Sequence, residues 1–128
     1  LESIIEQKVY CIVTLITKLE IELLQIYNFL ETINKFEVLH LQFPFHDLKA
    51  PSDSKKKQVI SLLNEIRLHV EKKRPVLIHC NYGYGRSGLV AALVLKLIDN
   101  VTDPIEVVRE FRPGAIETLD QELFIREW

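Results

Sequence analysis

Methionine is absent from this chain, and glycine and cysteine are scarce, with four and two copies in 128 residues. Two cysteines cannot build a disulfide framework, so no secreted, cross-linked scaffold is expected. Without methionine, Leu1 is not an initiator. The expectation is one domain, 1–128, excised from or trimmed relative to a longer chain, with flanking domains left open. A chain of this length buries about two-thirds of its unfolded surface on folding, enough for a core of its own. No apolar run reaches the ~18 residues a bilayer span requires, and no secretory signal opens the chain, so membrane insertion is not expected. The net charge of −2 provides no broad basic field for nucleic acid. The clusters Lys55-Lys56-Lys57 and Lys72-Lys73-Arg74 read first as solvated ends of one helix, and second as a docking patch for acidic or phosphorylated partners.

Three of the four glycines fall in one place. Gly83, Gly85 and Gly88 all lie within His79-Cys80-Asn81-Tyr82-Gly83-Tyr84-Gly85-Arg86-Ser87-Gly88. Glycine at that density bends a loop so that its backbone N–H groups turn inward. Val76-Leu77-Ile78 before it reads as a buried strand, and 89–95 after it as a helix apolar on nearly every face. Strand, glycine loop and helix N-terminus in that order form an anion site. Arg86 adds a planar fork matched to two phosphate oxygens, which lysine cannot copy. Thiols facing a helix N-terminus and a cation ionise more readily than free cysteine, which makes Cys80 the candidate nucleophile. Ser87 is placed to donate to its sulfur and His79 to brace the loop backbone. A small apolar cysteine in a glycine turn explains any one of these residues, but not the string. The same stretch spells G-x-G-x-x-G, yet the dinucleotide reading needs a second strand ending in an acidic residue about 20 positions on. Here 99–104 is a helix end followed by a helix start, and that reading is rejected.

His-Cys, five residues, Arg, Ser, Gly resembles the signature of the cysteine-dependent protein phosphatases. The chain is similar to their compact dual-specificity branch, and within it to the kinase-associated phosphatase group. Phe43-Pro44-Phe45-His46-Asp47-Leu48-Lys49-Ala50-Pro51 resembles the family's acid loop, although Leu48-Lys49 stand where many relatives have glycines. Arg112-Pro113-Gly114-Ala115-Ile116-Glu117-Thr118, with Gln121 after it, resembles the C-terminal motif beside the phosphate loop. The resemblance runs from about Val9 to Phe124. It implies a metal-independent phosphomonoesterase without cofactor, acting on phosphotyrosine, phosphoserine and phosphothreonine in a phosphorylated protein partner. Cys80 would be the nucleophile and Asp47 the general acid. Ser87 would ease release of the sulfur, Asn81, Tyr82, Gly83, Tyr84, Gly85 and Arg86 would bind phosphate, and His79 and Gln121 would support the site. A thiol enzyme of this kind belongs in a reducing, cytoplasmic compartment. Two bland roles stay open: Asp47 as a turn residue, and Gln121 as a helix cap rather than a positioner of water. Phosphoinositides or another non-protein ester are the alternative substrates, and a phosphate-binding module without turnover is the alternative class.

The layout predicts α/β architecture of three layers, a small parallel sheet flanked by helices. Strands are expected at 8–15, 36–42 and 75–79. Thr17-Lys18-Leu19-Glu20 is a capping-box start, with Leu19, Leu23, Ile26, Leu30 and Ile33 along one face. Ser52, Asp53 or Ser54 is expected to cap the helix whose inner stripe is Val59, Leu62, Leu63, Ile66 and Val70. Asp103-Pro104-Ile105-Glu106 starts another helix by cap, proline and acid, Pro113-Gly114 stops it, and Thr118-Leu119-Asp120-Gln121 caps the last. Cys11 is expected to be an inert core thiol, with a resolving disulfide to Cys80 as the alternative.

Overall fold

The computed structural model describes residues 11–17, 19–20, 39–46, 49–80 and 85–128. Three parallel strands form the sheet, β1 (Cys11–Thr14), β2 (Leu39–Gln42) and β3 (Val76–His79), in the order β2-β1-β3. β1 lies in the middle and all four of its residues are buried, as its uninterrupted apolar sequence requires of a strand covered on both faces. β1 ends and β3 begins one residue inside the expected bounds, and β2 ends at the expected Gln42. Leu15 has already left the ladder, and 8–10 and 36–38 fall outside the described residues. Register aligns Thr14 with Gln42 on one side and His79 on the other, so the three carboxyl ends finish level. Open parallel sheets bind ligands at that edge.

Four α-helices complete the described fold: α1 (Lys56–Glu71), α2 (Gly85–Leu97), α3 (Pro104–Phe111) and α4 (Leu119–Glu127). α2 packs against β3 and all three other helices, which explains a sequence apolar on nearly every side. Val59, Leu62, Leu63 and Ile66 form the buried stripe of α1, and Val70 packs half-buried at its end. The cap expected for α1 is corrected. A 3-10 turn, Asp53–Lys55, leads into the helix, no side chain caps either element, and Ser52 and Ser54 meet each other through their hydroxyls instead. The α3 start is as read, with Asp103 accepting from the Glu106 N–H and Pro104 in the first turn.

Cys11 is fully buried, and burial pushes its thiol up to about 11. It pairs in register with Val76, four residues before Cys80 and thus roughly 13 Å away along the strand. Disulfide geometry does not bridge that distance. The inert-core reading stands and the resolving disulfide is dropped.

Candidate active site

β3 ends at His79, which delivers Cys80, half-buried, to the carboxyl edge of the sheet. The first turn of α2 then supplies its partners. Ser87 Oγ donates to Cys80 Sγ at 3.1 Å. Arg86 is completely buried, and a buried guanidinium requires a carboxylate and well-formed hydrogen bonds. Glu20 is that carboxylate, engaging Nη1 through Oε1 at 2.6 Å and Nη2 through Oε2 at 2.8 Å. Nη1 donates again, at 3.0 Å, to the carbonyl of Phe45. The Arg86 hydrogen bonds hold the Glu20 carboxyl at about 2, well below the usual carboxylate range.

Beneath Cys80, the buried Thr14 hydroxyl lies 2.7 Å from His79 Nε2 and 2.6 Å from His40 Nε2. A hydroxyl has one proton and donates to only one of these rings. When both imidazoles are neutral, the other ring donates to it. Burial, helped by His40, lowers His79 to about 4, and burial lowers His40 as well. Both rings are therefore neutral near pH 7, and the network braces the strand end that carries the cysteine.

The C-terminal motif closes the other side. Ile116, buried and β-branched, adopts φ +58°, a conformation such residues take only when their surroundings impose it. Arg109 is one such constraint, donating to the carbonyls of Ala115 at 3.0 Å and Ile116 at 2.8 Å while pairing with Glu122 at 2.6 Å. Gly88 is another. A Cβ there would stand 3.1 Å from the Ile116 nitrogen and 3.2 Å from the Ala115 Cβ. At Gly85 a Cβ would meet Glu117 Oε1 at 2.7 Å and both amide atoms of Gln121 at 3.1 Å. Gly85 and Gly88 thus begin α2 and admit the C-terminal motif at close range, which corrects the reading of them as bends in the loop.

Gln121 is fully buried. Its Oε1 accepts from the Glu117 N–H at 2.9 Å and its Nε2 donates to the Lys49 carbonyl at 3.2 Å. The capping of α4 falls to Thr118, whose hydroxyl accepts from the Gln121 N–H. Cys80, Arg86, Ser87, Gly85, His79 and Gln121 are thus brought to one edge. Asp47, Asn81, Tyr82, Gly83 and Tyr84 lie outside the described residues. Glu20, Thr14 and His40 were missed as site residues. For Glu20 the signal was an acid just beyond a strand end, in a chain with a buried arginine to neutralise; nothing local marks Thr14 or His40.

A parallel sheet that delivers a cysteine to the head of a helix bearing Arg and Ser defines the cysteine-phosphatase class. Over residues 1–99 the chain matches the family described as "Polymorphic toxin system, DSP-PTPase phosphatase", and it belongs to that family. It is 28% identical over 116 residues to cyclin-dependent kinase inhibitor 3 of Sus scrofa, a match covering 88% of this chain and 53% of that protein. The chain therefore spans about half the length of this curated relative. Among solved structures, Tk-PTP in the active form aligns with a TM-score of 0.82 at 30% identity, covering 96% of this chain and 80% of that one. A kinase-associated phosphatase with its catalytic-site cysteine replaced by serine aligns at 0.88 and 25%, covering 98% and 71%. Among the described residues, no helix is long and apolar enough to cross a membrane.

Proposed function

We propose that this domain is a metal-independent phosphatase that hydrolyses phosphotyrosine, phosphoserine and phosphothreonine in proteins through a cysteinyl-phosphate intermediate. The observation that carries the reading is the Ser87–Cys80 contact, in which the sulfur accepts a hydrogen bond at 3.1 Å from the residue that follows the buried Arg86. Cys80 thiolate attacks phosphorus in line, forming the P–S bond as the P–O bond breaks. Arg86 and the amides of 81–85 hold the equatorial oxygens, whose charge they neutralise without a metal. Asp47 gives its proton to the departing oxygen, since an alkoxide leaves poorly. In the second step water attacks phosphorus, Asp47 takes the water's proton, and the P–S bond breaks to return the thiolate. Ser87 stabilises that thiolate as it departs. A mechanism that needs a free thiol places the protein in a reducing compartment.

Turnover of para-nitrophenyl phosphate, then of a phosphopeptide panel beside phosphoinositides, tests the reading. Cys80→Ser should abolish turnover and leave oxyanion binding intact, because a serine hydroxyl has no accessible anionic form. Chelator should leave the wild-type rate unchanged. A Cys80→Ser enzyme that keeps a tenth of the activity, or a rate lost to EDTA and restored by a divalent ion, overturns the mechanism. Preference for phosphoinositides over every phosphopeptide overturns the substrate class.

A further inference from the structure

The described residues on either side of Asp47 are each held by a side chain from elsewhere in the fold. Arg86 Nη1 binds the Phe45 carbonyl at 3.0 Å and Gln121 Nε2 binds the Lys49 carbonyl at 3.2 Å. Between them, the Lys49 N–H donates to the His46 carbonyl at 3.2 Å. Both anchors adjoin the phosphate site. Arg86 belongs to it, and the Gln121 amide lies where a Cβ on Gly85 would approach to 3.1 Å. The amide is also bonded through both of its polar atoms. It is buried from solvent, its oxygen is taken by the Glu117 N–H, and its nitrogen faces Lys49. A glutamine that orients the attacking water needs an amide directed at the phosphorus, whereas this one faces two backbone groups.

We infer that Gln121 is a positioning residue for the general acid. It clamps the Lys49 end of the acid segment against the head of α2 and the C-terminal motif, and acts on proton transfer to the leaving group rather than on the water of the second step. The inference rests on the reading of Asp47 as the acid. The chemical consequence is specific, because kcat/KM reports only steps up to departure of the first product. Loss of an acid-positioning contact lowers kcat/KM for esters with poor leaving groups. Loss of a water-positioning contact leaves kcat/KM unchanged for every ester and lowers kcat alone.

The experiment compares an alkyl phosphate with para-nitrophenyl phosphate for wild type, Asp47→Asn and Gln121→Met, which keeps the side chain's length and removes both hydrogen bonds. Gln121→Met should lower kcat/KM for the alkyl ester by about tenfold or more, part of the 10²–10⁴ available from general acid catalysis. The aryl ester, whose phenol departs without help, should change by less than about threefold. Asp47→Asn should show the same selectivity, more strongly. Should Gln121→Met fail to fold, Gln121→Asn, one methylene too short to span both partners, is read in the same way. Unchanged kcat/KM with a lowered kcat overturns the inference in favour of a water-positioning role, and an equal loss on both esters overturns it in favour of general damage. If Asp47→Asn is selective and the Gln121 variants are not, only the inference falls. If Asp47→Asn is itself unselective, the acid assignment falls and the inference with it.

Discussion

Thr17–Glu20 and Thr118–Gln121 spell the same local motif at opposite ends of the chain, and the fold uses them differently. At the first, the box forms: the Thr17 N–H donates to Glu20 Oε1 at 3.0 Å and the Glu20 N–H to Thr17 Oγ1 at 3.2 Å. Glu20 then does a second job, binding Arg86 with both oxygens. At the second, Thr118 caps while the Gln121 side chain turns away to Glu117 and Lys49. The difference lies in acceptor capacity. A carboxylate offers about four lone-pair sites and serves a cap and a guanidinium together, whereas an amide offers two lone pairs and two N–H donors. Here it turns them to the Glu117 N–H and the Lys49 carbonyl. One motif is a cap with a buried guanidinium added as partner. The other is half a cap and half a clamp.

The largest expected effect breaks the pairing at its centre. Arg86→Lys keeps the charge but cannot fork between Glu20, the Phe45 carbonyl and a phosphate, so turnover should fall by about 10²-fold or more, comparable to loss of an oxyanion donor. A near-normal rate on para-nitrophenyl phosphate would make Arg86 purely structural.

Glu20→Gln keeps an acceptor for the cap and removes the charge facing the buried guanidinium, so its loss should appear in turnover, at about tenfold. The deficit in stability should also depend on pH. The Glu20 carboxyl sits at about 2 in the folded protein against an ordinary 4.5, so its contribution is complete above about 4.5 and disappears as pH falls through about 2. Denaturant melts of wild type and Glu20→Gln should therefore be separated at pH 7 and converge in acid. A separation that persists at pH 2 would show that the charge is irrelevant. Gln121 variants carry no such titration, and their deficit should not converge in that way.

Gly88→Ala probes the strained turn at Ile116, just ahead of the second motif. Its methyl would press on an Ile116 backbone that Arg109 holds in place, so a loss of about 1–3 kcal/mol is expected, as for other overpacked sites. An unchanged midpoint in urea would show that the turn yields freely. The smallest effect separates the two caps. Thr17→Ala and Thr118→Ala should each cost about 1 kcal/mol, but Thr17→Ala should also slow turnover, because the Thr17 hydroxyl it removes donates to Glu20 Oε1 at 3.1 Å. Equal kinetics in the two variants would erase the distinction.

The sequence determined the order strand–loop–helix around Cys80, the inner stripe of α1, the cap of α3 and the choice of Cys80, Arg86 and Ser87 as the residues proposed for nucleophile, cation and hydroxyl partner. Those features rest on periodicity and on contacts within a few residues, where spacing along the chain is spacing in space. Tertiary structure decided the partners that lie far apart in sequence: Glu20 on Arg86, His40 and His79 on one threonine hydroxyl, and Gln121 across to Lys49. A buried polar group must find a partner wherever the fold brings one within reach. Local pattern gives Glu20 and Gln121 the same role, and only the burial of Arg86 and the close packing at Gly85 assign them different ones.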